Sequence, residues 1–432
     1  MITACLPRMR CPCCFGDLAV QSVARGTSEI VEFGIIRCRC SQYPVIQGIL
    51  LLGKRDTQSF VPFLARADID GLLEHIAEKR WAGAGWFAAI ETEWGPRDFL
   101  ARAPETLFAA ADRFREYAKA AAIPVVYELM SHLKYFHATP KYLAALSLVE
   151  LLSRRRAHDQ VTDHVIDLGA GAGHFGELAL RHAKPTIVYL VDVTFRSLLM
   201  SRWMFPDPSR CMCVRTDLNL PLPFKDGAVD AAVSADAIHY VEAKASLFRE
   251  VKRVLRPDGS MLFTHLHNAE HPTEPAQGSS LTADTWKALF AEALGGSGRL
   301  ISDDIVRQTS RAGRPLDAAA PSGELSGARS FSFVSPGELL DAVPVAEFLR
   351  GGLEDAIWNP AYSVTREGDA FHLVRAPVTP IFDEEHATME PLSFTVSATE
   401  LAGPAERAML RRRGILVDAP RAMCDQTDRR PG

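Results

Sequence analysis

The sequence predicts an α/β protein: a mostly parallel sheet with helices on both faces, preceded by a small cysteine-bearing β-rich module and a helical connector, and followed by α+β additions. Three observations predict it. From about Val161, β-prone apolar runs alternate with helically periodic ones, the rhythm of repeated parallel crossovers. A glycine-rich loop directly follows the first of these runs. Cys11, Cys13, Cys14, Cys38 and Cys40 bunch far ahead of it. The expected organisation is a cysteine module over 1–55, a helical connector or substrate cap over 56–160, the α/β domain over 161–376 with an insertion around 300–360, and a C-terminal extension over 377–432.

The bulk properties bound the function. A chain of 432 residues is long for a single core and suggests two or three folding units. With 47% hydrophobic and 23% charged residues, it has a globular composition rather than a disordered one. A net charge of -5 supplies no overall basic footprint for nucleic acid. The start, Met1-Ile2-Thr3-Ala4-Cys5-Leu6-Pro7, lacks a signal-peptide pattern, and no apolar run reaches membrane-spanning length. The expectation is a cytoplasmic protein without a membrane partner, its cysteines reduced or metal-bound.

Along the chain, Ile30-Val31-Glu32-Phe33 and Tyr43-Pro44-Val45-Ile46 read as short strands between cysteine and glycine turns. From Ser59 to Arg156 the spacing is helical: Ile69, Leu72, Leu73 and Ile76, then Tyr142, Leu143, Leu146, Val149 and Leu152, with Pro124 and Pro140 as boundaries. Val165–Leu168, Ile187–Val191, Cys213–Arg215 and Ala228–Val233 read as successive strands. Leu247–Leu255 reads as an amphipathic helix, stopped by Arg256-Pro257-Asp258-Gly259 before a fifth strand over Ser260–Leu266. A polar loop runs from Asn268 to Ser280, then a helix over Ala283–Phe290. Residues 307–329 read as a surface insertion, and Ala361–Ala376 as a hairpin turning at Glu367-Gly368-Asp369 that could add edge strands to the sheet. Leu392–Val396 suggests a strand and Ala405–Arg413 a helix. The polar end after Cys424 reads as frayed.

The segment richest in chemical implication is Val165-Ile166-Asp167-Leu168-Gly169-Ala170-Gly171-Ala172-Gly173-His174-Phe175-Gly176. Glycines let a backbone turn sharply and approach a ligand, and the following helix points free N–H groups into the same crevice. By itself such a loop could also hold a dinucleotide. The run resembles the first motif of class I S-adenosylmethionine-dependent methyltransferases, a Rossmann-like fold. The resemblance implies that Asp167 organises the methionine end, with Gly169, Ala170, Gly171 and Gly173 forming the loop. It also implies that Asp192, with Val193 beside it, binds the ribose hydroxyls, and that Asp217 and Leu218 meet the adenine. Ser234, in Ser234-Ala235-Asp236-Ala237-Ile238-His239-Tyr240, would flank the sulfonium end. Val254–Gly259 matches the turn into the fifth strand, so the match covers about Val161 to Leu266.

On the acceptor side His239 is the first candidate general base, because it follows a parallel strand where α/β sites form. Tyr240, His265 and His267 are candidate substrate-binding residues. His265 and His267 share strand parity, so a metal reading also exists for the group His265, His267 and His271. Structural hydrogen bonding remains the bland alternative for all of them.

Cys11, Cys14, Cys38 and Cys40 could supply four thiolates to a closed tetrahedral zinc site, with Cys13 as an alternative ligand. Reduced buried thiols are the competing reading. The pattern through Tyr43-Pro44-Val45-Ile46-Gln47-Gly48-Ile49-Leu50 resembles the Trm112-like zinc-ribbon family, which implies a built-in stabiliser or a substrate-recognition module. The expected cofactors are S-adenosylmethionine and structural zinc. The expected activity is methyl transfer to an O, N or C nucleophile of a small molecule, as in natural-product tailoring. RNA or protein methylation with the ribbon as docking module is the first alternative, and a noncatalytic donor-binding or scaffold protein the second. Dehydrogenase activity is weaker, since Asp217-Leu218 favours the sulfur cofactor. The C-terminal additions leave room for a homodimer.

Overall fold

The computed structural model describes residues 1–52, 55–78, 139–157, 162–205, 207–271, 278–317, 325–342, 348–349, 356–359, 361–375 and 392–418. Pro124, Val161 and the polar end beyond Cys424 lie outside the described residues.

Strands β1 (Ala19–Gly26), β2 (Val31–Arg37), β3 (Gln42–Ile46) and β4 (Ile49–Leu51) carry the cysteine-bearing segment. Helices α1 (Val61–Ala65), α2 (Ile69–Glu78) and α3 (Pro140–Ala157) follow. The α/β part proceeds through β5 (His164–Leu168), α4 (His174–Leu178), β6 (Ile187–Asp192), α5 (Phe195–Met204), β7 (Cys211–Arg215), β8 (Val229–Ala235), α6 (Lys244–Val254) and β9 (Leu255–His267). Next come α7 (Ala283–Leu294), β10 (Arg299–Ser302), α8 (Asp303–Arg311) and β11 (Ser330–Ser335). Beyond them lie β12 (Ala356–Trp358), β13 (Tyr362–Glu367), β14 (Ala370–Arg375), β15 (Ser393–Ser397), α9 (Ala398–Ala402), α10 (Pro404–Arg412) and β16 (Leu416–Asp418).

One sheet of eleven strands runs β1-β2-β3-β4-β7-β6-β5-β8-β9-β11-β10. The pairs from β4 through β9 in this order are parallel, and both flanks are antiparallel. The parallel strands are apolar on both faces because helices cover both. Successive residues of β5 show this: Val165 packs in one hydrophobic cluster with Leu146 and Leu190, and Ile166 in another with Tyr189 and Trp286. The cysteine-bearing strands extend this same sheet, since Leu50 pairs with Val214 and Leu51 with Arg215.

Strand order reverses between β5 and β8, so a crevice opens beyond their carboxyl ends. Helix α3 packs beneath it with Tyr142, Leu146, Val149 and Leu152 in the core. Its buried Arg154 donates to the carbonyls of Leu316 and Leu339, and Arg155 to that of Asp258 at 2.6 Å. The C-terminal part returns to the same helix: the Tyr142 hydroxyl donates to Asp418 at 3.2 Å, and Arg412 pairs with Glu150.

Three expectations change. The fifth strand joins its ladder already at Leu255, opposite Val229, and resumes at Ser260 opposite Ala231. Arg256-Pro257-Asp258-Gly259 bulges out between these pairs, as suits a proline with no N–H for the ladder. The hairpin at Gly368-Asp369 forms as β13 and β14, but it pairs with β15 in a separate sheet. The antiparallel strands that lie beyond β9 in the main sheet are instead β11 and β10. Every residue of β11 is buried, its serines included: Ser330 and Ser332 donate to a buried carboxylate, Asp303, and the Ser335 hydroxyl meets that of Ser297. Finally, the stretch 307–329 is not all surface. Helix α8 occupies its start, and Leu316, Leu325 and Ala328 are buried. Residues 318–324 lie outside the described residues.

Candidate active site

A cavity of about 460 Å³ opens at the strand-order reversal. It is lined by residues that follow four consecutive parallel strands: Gly169 and Gly171 after β5, Asp192 to Thr194 after β6, Asp217 to Asn219 after β7, and Asp236, Ala237, Tyr240 and Val241 after β8. Its size lies within the ~300–1,000 Å³ usual for small-molecule sites.

The glycine loop is anchored by backbone bonds: the N–H groups of Gly169 and Ala170 donate to the Val191 carbonyl at 2.8 and 3.1 Å. Gly169 has φ 67°, and a Cβ there would sit 2.3 Å from the Cβ of Ala237 on the facing turn. Gly171 has φ 54° and open space where its Cβ would be, so it presents bare backbone to the cavity. Asp167 is buried and accepts from the Gly176 N–H at 2.9 Å. Burial pushes its carboxyl up to about 7, against that hydrogen bond and with help from the charge of Asp192. Asp192 accepts from Thr194 N–H at 2.7 Å on one oxygen and from Gly171 N–H at 2.9 Å on the other. Burial raises its pKa, and these N–H groups oppose the rise.

Asp217 accepts from both the backbone and side-chain nitrogens of Asn219, at 2.9 and 3.0 Å. The Asn219 side-chain oxygen in turn accepts from Glu242 and Ala243 N–H at 2.9 and 3.0 Å. Asn219 thus ties two walls together. Its signal was its place two residues after Asp217, and sequence reasoning missed it. Leu218 is buried against this loop and Val193 is exposed beside Asp192. Ser234 is fully buried, and its hydroxyl donates to the Leu168 carbonyl at 2.7 Å, below the loop rather than in the cavity lining.

On the opposite side the structure gathers the acceptor candidates around Asp236. This residue has φ 55° and receives Lys141 Nζ on Oδ2 at 2.5 Å. Its Oδ1 lies 2.9 Å from His267 Nε2, 3.8 Å from His265 Nε2 and 3.9 Å from His239 Nδ1. Burial alone would raise the Asp236 pKa, but Lys141, His265 and His267 outweigh it and hold the carboxylate well below its usual range. His239 is buried behind the exposed Tyr240, with ring centroids 4.0 Å apart, and stacks equally close to His267. Burial and the neighbouring His267 lower its pKa to about 4. His271 is not in this group; its N–H donates to the Asn268 carbonyl at 3.1 Å. Lys141 and Asp236 were not among the sequence candidates. Asp236 had a readable signal, a carboxylate at a strand end like Asp167 and Asp192, whereas Lys141 is far away in sequence and had none.

The four cysteines predicted as ligands converge. Cys11 Sγ is 3.6 Å from Cys40 Sγ, and Cys38 Sγ is 3.4 Å from Cys40 Sγ, with Cys14 in the same group. The N–H groups of Cys13 and Cys14 point at Cys11 Sγ, at 3.3 and 3.4 Å. The Cys14 thiol is pulled down to about 6, first by the Gly16 N–H. Cys13 itself is exposed and outside the cluster.

Among the described residues, no helix is long and apolar enough to cross a membrane. Residues 166–263 match the family model described as "Methyltransferase domain". A malonyl-[acyl-carrier protein] O-methyltransferase of Halorhodospira halophila is 33% identical over 116 residues, which cover 27% of this chain and 38% of that protein. Its counterpart in Legionella pneumophila is 34% identical over 103 residues, covering 24% of this chain and 36% of that protein. The chain therefore spans little more than a third of the length of these curated relatives. A chain from the complex between the Haloferax volcanii Trm112 methyltransferase activator and a methyltransferase aligns with 16% identity and a TM-score of 0.31, covering 44% of this chain and 90% of that one.

Proposed function

Starting from the methyltransferase domain of residues 166–263, we propose that the chain transfers a methyl group from S-adenosylmethionine to a small-molecule O, N or C nucleophile. The observation that carries this reading is the single cavity in which the glycine loop, Asp192, Asp217-Leu218 and the Asp236–Tyr240 turn meet. Bound S-adenosylmethionine supplies an already electrophilic methyl group, so the chain must chiefly position the acceptor and exclude water. In this reading the bare backbone of Gly169 and Gly171 admits the donor closely. Asp192 receives the ribose hydroxyls, Asp217 and Leu218 flank the adenine, and Asp167 steadies the loop at its root. Tyr240 and the histidine group form the acceptor side. His239, held unprotonated at physiological pH by its burial, is the candidate proton acceptor beside Tyr240.

The cysteine cluster fits a structural zinc ion. A tetrahedral ion with Zn–S bonds of ~2.3 Å sets its sulfurs roughly 3.8 Å apart. The 3.4 and 3.6 Å separations are close to that, and Cys11, Cys14, Cys38 and Cys40 would hold it. Such an ion supplies folding energy to a module with little core of its own. Exposed Phe15, Val20 and Val23 on this module favour a second reading, in which a protein or RNA acceptor docks there.

Calorimetric titration with S-adenosylmethionine, S-adenosylhomocysteine and NAD tests the central reading. Saturable binding of the two sulfur ligands without NAD supports it; binding of NAD alone, or of neither class by folded protein, overturns it. An acceptor screen in which only macromolecules are methylated would transfer the assignment to the second reading.

A further inference from the structure

We infer that Asp236, His265 and His267 bind a divalent transition-metal ion beside the donor cavity, where it holds an oxygen of the acceptor. One ligand atom from each of the first three lies within 4.8 Å of the others. The arrangement is sharper than proximity. Nitrogens of three histidines surround a single carboxylate oxygen, Asp236 Oδ1, at 2.9, 3.8 and 3.9 Å. An ion with bonds of ~2.0–2.1 Å to nitrogen and oxygen sets tetrahedral ligand atoms roughly 3.4 Å apart, between the 2.9 Å to His267 and the 3.8 Å to His265. Imidazole with carboxylate is a donor set suited to zinc, iron or nickel rather than calcium or magnesium.

Two further observations point to a ligand. His239 is buried, yet its Nδ1 has no hydrogen-bond partner and faces the cluster. A buried imidazole nitrogen without a partner is costly unless something else satisfies it. His265 also has the supporting contact typical of a metal ligand. While Nε2 faces Asp236, its Nδ1 is 3.2 Å from Ser330 Oγ and 3.5 Å from Asp303 Oδ2. A carboxylate behind the imidazole fixes its tautomer and raises its basicity. Asp303 is held in place by the Ser330 and Ser332 hydroxyls and the His265 N–H. Lys141 occupies Asp236 Oδ2 and leaves Oδ1 to the histidines.

Asp236 lines the cavity, so an ion there would present an open position to an acceptor hydroxyl or carboxylate and favour its deprotonated form. This acceptor role rests on the methyltransferase reading; the ion site itself does not. The test uses the full chain, stripped with a chelator and titrated with Co²⁺. We expect one ion with weak nitrogen–oxygen ligand-field absorption, distinct from any ion showing thiolate charge transfer at the cysteines. His265→Ala and His267→Ala each abolish the first signal. Asp303→Asn weakens it by about 10–100-fold. Retention of near-ultraviolet circular dichroism shows that the variants fold. Absence of the nitrogen–oxygen signal in the wild type, or its persistence in both folded histidine variants, overturns the site. S-adenosylhomocysteine is titrated in parallel. Its binding without Co²⁺ uptake here removes only the ion. Uptake without S-adenosylhomocysteine binding removes the donor reading and leaves the ion site standing.

Discussion

The two walls of the cavity are built differently. On the wall proposed for the donor each carboxylate is satisfied by nearby backbone: Asp167 by Gly176, Asp192 by Gly171 and Thr194, Asp217 by Asn219. On the acceptor wall the contacts are between side chains from well-separated segments: Lys141 on α3, Asp236 and His239 after β8, His265 and His267 on β9, Asp303 on α8 and Ser330 on β11. A wall made by strand ends and their own loops takes most of its geometry from local backbone bonds. A wall assembled from helices and edge strands can change its chemistry without disturbing the glycine loop.

The largest expected effect falls on Asp192. Asp192→Ala removes a carboxylate that holds the loop and, in the proposed role, the ribose; charge-assisted bonds contribute ~1.5–3 kcal/mol each, so affinity for S-adenosylhomocysteine should drop about 100-fold or more. Unchanged affinity by calorimetry would break the donor wall as assigned.

A pH effect comes next. Burial pushes the Asp167 carboxyl up to about 7 in the folded protein, above its ordinary 3.8, so the native state holds an extra proton between these values. Its contribution to stability is fully present below the unfolded pKa and is lost as pH rises through about 7, a swing on the order of 4 kcal/mol. Asp167→Asn should flatten that slope. Denaturant midpoints measured between pH 4 and 7.5 check it, and an identical slope in the variant would mean another group titrates.

The contact between the walls can be probed with two glycines. Both Gly169 and Gly171 have positive φ, but only at Gly169 would a Cβ strike the opposite turn, at Ala237. Gly169→Ala should lower stability by about 1–3 kcal/mol more than Gly171→Ala, the usual cost of overpacking. Equal melting temperatures would show that the turn yields freely.

The smallest effect sharpens the separation. Lys141→Met should lower turnover about tenfold while leaving S-adenosylhomocysteine affinity within about twofold. An equal loss in both would mean that Lys141 supports the donor wall as well.

Much of this was legible beforehand. The parallel strands announce themselves as apolar runs because both their faces are covered, and the glycine loop, Asp192 and Asp217 sit where strand ends must fall. The cysteine cluster was readable from spacing, because two short turns bring each pair together locally. The edge of the sheet was not. Ser330-Phe331-Ser332-Phe333 has the alternation of a half-exposed strand, and only the fold, by placing Asp303 behind its serines, decided that it is an inner strand. The hairpin after Tyr362 was visible as a hairpin, but nothing local said which sheet it would join.

The sequence by itself determined the order of strands and loops, the strand-end places of Asp167, Asp192 and Asp217 and the pairing of the cysteines into two short turns, because backbone geometry and short loops fix residues close together in the chain. Only the tertiary structure decided which histidines converge, that they surround Asp236, and that Lys141, 95 residues away, completes the group. Such contacts come from packing α3 and the antiparallel edge against the sheet, and no local pattern encodes where a distant helix will dock.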